Sequence, residues 1–142
     1  MHHSISPARH SCLALIKSGL LATLLLSANQ QVLAEGAVRV LDCQITRLCN
    51  TTGQCETQDG KVQFRMAPQA LDASGAGQYN LQVDGIESAM QAQSEIGPFY
   101  WNTGPERHTL LASSETRFVW HTLSLAAQPE GNTRFLACTF QQ

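Results

Sequence analysis

Gln78-Tyr79-Asn80-Leu81-Gln82-Val83, followed at once by Asp84-Gly85, is the stretch that decides how this chain folds. Tyr79, Leu81 and Val83 alternate strictly with Gln78, Asn80 and Gln82, which is the period of a half-buried strand and not of a helix. Asp84-Gly85 is the dipeptide of a two-residue hairpin, so the segment Ile86 to Gln93 should run back beside its predecessor. Glu87, Ala89, Met90, Gln91 and Ala92 would also suit a helix, but the tight turn favours a second strand.

The same alternation recurs on both sides. Val38 to Arg47 places Leu41, Cys43 and Ile45 on one face, and Lys61 to Ala67 sets Val62, Phe64 and Met66 against Gln63 and Arg65. Phe99 to Asn102, His108 to Ala112, Arg117 to Ala126 and Thr133 to Phe140 complete about eight strands, separated by turn-forming clusters such as Thr103-Gly104-Pro105 and Ser113-Ser114-Glu115. Short connections imply an all-β, antiparallel meander. Its two unpaired edges are hidden most simply by curling until the first and last strands meet, as a closed barrel or a tight sandwich.

Four cysteines bear on that closure: Cys43, Cys49, Cys55 and Cys138. They permit three pairings. The expected one joins Cys49 to Cys55 across a short polar loop and Cys43 to Cys138 across nearly the whole domain. The spacing of Cys49 and Cys55, with no companion pair, is poor for zinc. No metal or cofactor is expected.

The start of the chain has the layout of a secretory signal. Arg9, His10 and Lys17 precede the apolar run Leu20 to Leu26, and Val32-Leu33-Ala34 offers a cleavage site before Glu35-Gly36. The apolar run is shorter than the roughly 20 residues that span a bilayer. Residues 1–34 are therefore expected to be removed, leaving a single β domain at 35–142 in the periplasm or outside the cell, where disulfides persist. That remainder carries seven basic residues against eleven acidic ones, about −4. Its positive residues are scattered singly, so it lacks the basic stripe that nucleic acid or an anionic membrane surface requires.

Unusual residues concentrate in Gly97-Pro98-Phe99-Tyr100-Trp101-Asn102-Thr103-Gly104 and in Arg107-His108. Neighbouring side chains on a strand point to opposite faces, so Phe99 and Trp101 lie on one side and Tyr100 on the other. An aromatic ring presented outward beside an arginine either covers an end of the sheet or forms a recognition surface. Gly97, Tyr100, Trp101 and Arg107 are the candidate binding residues. His108 and His121 are the two histidines of the remaining domain and the natural candidates for proton transfer, yet neither has a partner visible in the sequence. Ser113-Ser114 lacks any nucleophile context, and the carboxylates are dispersed. No catalytic residue is assigned.

The aromatic segment resembles the periplasmic inhibitors of c-type lysozyme, which carry a Ser-Gly-x-x-Tyr element. Gly97 and Tyr100 fit it, followed by Trp101 and Gly104, whereas Ile96 stands at the serine position. The resemblance implies a small eight-stranded barrel with a disulfide between early and late strands. The expected function is a non-enzymatic, monomeric binding domain for an envelope protein or a small molecule. Inhibition of a cell-wall hydrolase and carriage of a small ligand inside the barrel are the alternatives.

Overall fold

Strict alternation along each segment gives every strand one apolar face, and the only way to bury eight such faces without leaving an open edge is to roll the sheet up. The computed structural model describes residues 36–141, so the expected export signal at 1–34 lies outside the described residues. Eight strands run in chain order: β1 (Arg39–Asn50), β2 (Cys55–Leu71), β3 (Gly77–Val83), β4 (Ile86–Ala92), β5 (Phe99–Thr103), β6 (Glu106–Ala112), β7 (Arg117–Ser124) and β8 (Glu130–Gln141). Each pairs antiparallel with the next, and β8 returns to β1, closing the barrel. The segment after Asp84-Gly85 is a strand, paired with β3 through Val83↔Ile86. Asp84 and Gly85 both take positive φ, 47° and 88°, the pair of values that a type I′ hairpin requires.

Both expected disulfides are present, Cys43–Cys138 and Cys49–Cys55. Each joins residues that stand directly opposite on neighbouring strands, β1 with β8 and β1 with β2. Closure and cross-link therefore coincide: the longer bridge crosses the seam where the last strand meets the first.

Several strands run further than their apolar alternation. β2 begins at Cys55, because the hairpin turns at Asn50 to Gln54 and the polar run Glu56-Thr57-Gln58-Asp59 extends past the apolar core. Asn50 holds that turn by accepting hydrogen bonds on Oδ1 from the amides of Thr52 and Gln54. β2 also continues past Pro68, where a register shift between Pro68 and Ala70 absorbs the missing amide hydrogen. In contrast, β7 stops at Ser124, two residues short of the expected Ala126.

The interior is filled. Phe64, Leu81, Leu41, Met66, Met90, Leu110 and Leu136 are at most 1% exposed and come from six different strands, so the barrel has a packed middle and not a hollow one. Because the meander is strictly sequential, its connections fall alternately at two ends. The Asp84-Gly85 and Gly104-Pro105 turns share one end with the β7–β8 loop, and the Leu125 amide ties that loop to the second turn by donating to the Pro105 carbonyl at 3.0 Å. The β2–β3, β4–β5 and β6–β7 loops share the other. Among the described residues, no helix is long and apolar enough to cross a membrane.

Candidate functional site

Inward-facing positions near the Gly104-Pro105 end depart from the apolar rule that governs the rest of the barrel. On β6 the inward parity runs Glu106, His108, Leu110; on β7 it runs Thr122, Trp120, Phe118; on β8 it runs Asn132, Arg134, Leu136. Polar groups therefore replace apolar ones as each strand approaches this end. They line a cleft of about 290 Å³, completed by Val83, Asp84, Ile86, Ser88, Trp101 and Thr103.

The floor is a column of rings. Trp101 stacks on His108 with centroids 4.9 Å apart and an interplanar angle of 11°, while Trp120 lies 6.2 Å from Trp101. Phe64 supports both indoles edge-on from the core, at 6.2 and 5.4 Å. Arg134 caps the column, its Cζ 4.5 Å from the centre of the Trp120 ring, a cation–π contact between half-buried groups.

Hydrogen bonds fix the protonation state of His108. The indole Nε1–H of Trp120 can only donate, and it points at His108 Nδ1 from 3.3 Å, so Nδ1 is the bare nitrogen. Thr122 Oγ1, 3.2 Å away, donates to the same atom while accepting from Arg134 Nη1 at 3.1 Å. The proton then sits on Nε2 and is donated to Thr103 Oγ1 at 2.6 Å. His108 is thus a neutral, fully engaged ring, 6% exposed. Burial pushes its pKa below the ordinary histidine value and Arg134 pushes it further down, against the opposing field of Glu106, whose Oε2 lies 3.6 Å from Nε2. With both nitrogens committed, His108 holds the cleft in shape and has no free lone pair to act as a base.

Arg134 is the open valence of the site. A guanidinium carries five N–H donors. Its hydrogen bond to Thr122 is the one it makes among the described residues, and no carboxylate closes to ion-pair distance with it. Burial lowers its pKa, an effect that Glu106 partly offsets, but an arginine stays charged at any physiological pH. The cleft therefore presents a fixed positive fork with unused donors.

The residues singled out in the sequence separate in space. Trp101, 4% exposed, belongs to the cleft. Tyr100, 37% exposed, and Arg107 lie together on the outer face of the β5–β6 hairpin, where Tyr100 opposes Thr109 and Arg107 opposes Asn102. Gly97 sits at the opposite end of the barrel, in a cis Gly97–Pro98 bond beside the exposed Ile96. His121 is on the outer face, with Nδ1 3.1 Å from Thr133 Oγ1. Arg134 and Trp120 join the cleft beyond the residues that the sequence marks, and parity is the signal that reaches Arg134: it shares a face with Cys138, whose pairing across the seam points inward.

Fold and site together define a closed eight-stranded meander barrel, cross-linked at its seam, with one polar, aromatic-floored mouth. Comparison with known protein families, curated proteins and solved structures gives no match.

Proposed function

We propose that this protein is a non-enzymatic binding domain, working outside the cytoplasm, that takes its ligand at the Glu106 mouth of the barrel. The observation that carries the reading is Arg134: a half-buried guanidinium stacked on Trp120, held in place by Thr122, with most of its donors unspent. Those remaining donors open on the cleft, where the planar fork matches an anionic oxygen pair of a ligand. The rigid ring column beneath adds pre-organisation, which lowers the entropic cost of binding. The neutral His108, bonded through both nitrogens, supports binding over proton transfer.

Inhibition of a cell-wall hydrolase is a second reading, favoured by the eight-stranded frame with its β1–β8 disulfide and by the β4–β5 loop, which presents Ile96 at 72% exposure next to Gly97. The two readings use different ends of the barrel, so one experiment separates them. Immobilised wild-type protein, Arg134→Met and the double variant Tyr100→Ala/Arg107→Ala are each challenged with periplasmic extract, and the soluble proteins are added to a muramidase assay. We expect Arg134→Met to lose at least tenfold of the captured ligand and the double variant to keep it, with muramidase unaffected. Retention by Arg134→Met and loss by the double variant would move the site to the outer face; muramidase inhibition would favour the hydrolase reading.

A further inference from the structure

The charges around the cleft specify a ligand class. Resting on the binding-domain reading above, we infer that the ligand is a zwitterion of the α-amino-acid type with an apolar side chain. Arg134 supplies one positive charge, Asp84 and Glu106 supply two negative ones, and His108 is neutral by its hydrogen-bond pattern. A bare anion would meet a mouth that is negative overall, and a bare cation would meet Arg134. A molecule carrying both charges satisfies both sides.

The placement of the two poles suits such a molecule. Glu106 stands at the Nε2 edge of the His108 ring, 3.6 Å away, whereas Arg134 reaches the Nδ1 edge through Thr122, by contacts of 3.1 and 3.2 Å. The opposite charges thus flank one imidazole without forming an ion pair with each other. The two poles are separated by the ring and, on the Arg134 side, by the Thr122 hydroxyl, so a zwitterion laid over the ring turns one pole to each edge. Arg134 grips the carboxylate with its planar fork, and Glu106 takes the ammonium. Asp84 is held less freely, because its Oδ1 already accepts the Gln63 amide at 3.1 Å. Ile86, 66% exposed on the rim, and Val83 provide the apolar wall against which the side chain rests. At about 290 Å³ the cleft is at the small end of ligand sites, which suits a single amino acid and not a bulky metabolite.

Both tryptophans of the chain line this cleft, so intrinsic emission reports it without a label. The test titrates the full protein with L-leucine, N-acetyl-L-leucine and L-leucinamide, read by tryptophan emission and by calorimetry. The first compound carries both charges, the second lacks the ammonium and the third lacks the carboxylate. We expect each blocked compound to bind at least tenfold more weakly than leucine. Arg134→Met should weaken leucine at least tenfold, and Glu106→Gln should do the same while leaving N-acetyl-leucine unchanged or tighter. Because the blocked compounds probe the unaltered protein, the result does not depend on any variant folding. N-acetyl-leucine binding as tightly as leucine would overturn the inference in favour of a plain carboxylate site, and silence towards leucine would overturn it outright. Where leucine is silent, a small-molecule fraction of envelope extract that changes tryptophan emission in the wild type but not in Arg134→Met would leave the binding-domain reading standing; no such fraction would remove both.

Discussion

The two ends of this barrel are built from the same strands and have opposite chemistry. At the Arg39 end, Tyr79, Phe99 and Phe118 continue the core outward, and a second hollow of about 170 Å³ between Leu41, Met66 and Phe118 is rimmed by the exposed Ile96 and Phe140. An ion pair between Arg39 and Glu95 spans that rim, so the arginine lining the hollow is paired. At the Glu106 end the core gives way to His108, Thr122 and Arg134, and among the described residues no carboxylate lies at ion-pair distance from that arginine. Apolar packing thus runs from the middle to the Arg39 end, while the Glu106 end carries the polar groups.

The largest expected effect concerns the seam that both ends share. Cys43 and Cys138 are 95 residues apart in sequence, and in the chain-entropy account a loop of that length contributes about 4.7 kcal/mol. Cys49 and Cys55 are 6 apart, for which the same account gives about 2 kcal/mol. Urea unfolding of Cys43→Ala/Cys138→Ala and of Cys49→Ala/Cys55→Ala should therefore show about twice the loss for the first. Equal losses would mean that the seam is held by its backbone pairing and packing, not by the cross-link.

The next effect sharpens the contrast between the ends directly. Phe118 is 4% exposed and packs edge-on against Phe140, with ring centres 6.4 Å apart. Phe118→Ala should cost about 4 kcal/mol by urea unfolding, the usual loss for a buried phenylalanine. In the folded variant, tryptophan emission should not move, since Trp101 and Trp120 line the opposite cleft. A shifted emission maximum at low urea would show that the two ends are mechanically coupled and that the division drawn between them is too sharp.

How far the sequence reveals each end differs for a physical reason. The fold follows from alternation, which is a local property: Tyr79, Leu81 and Val83 point inward because each is two residues from the next, and Asp84-Gly85 turns because those residues accept positive φ. The disulfides follow from chain order and closure. The cleft does not, because it is assembled across the barrel from β5, β6, β7 and β8, and no local pattern brings Trp101, His108, Trp120 and Arg134 together. Parity alone would have pointed to Arg134 over Arg107: the former shares a face with Leu136 and Cys138, the latter with the outward Thr109 and Leu111. Adjacency to aromatic residues drew attention to Arg107 instead, and adjacency in a strand means opposite faces.

The smallest expected effect is a pH dependence, and it tests whether His108 belongs to the polar end as a neutral ring. Its pKa in the folded protein lies below its ordinary value of about 6.5, with burial the leading cause. Between those two values the unfolded chain binds more protons than the folded one, so stability falls as the pH drops. The contribution is fully present above about pH 6.5 and is lost as the solution is acidified from there through the lowered folded value. Protonation at Nδ1 would set an N–H against the N–H of Trp120, which is the local form of the same penalty. Thermal unfolding of the wild type should therefore show a lower midpoint at pH 5.5 than at pH 7.5, and His108→Asn should flatten that slope. Glu106 opposes the shift, so Glu106→Gln should deepen it and steepen the slope. A slope that survives His108→Asn unchanged would place the titrating group elsewhere and would remove the neutral ring on which the charge count of the cleft rests.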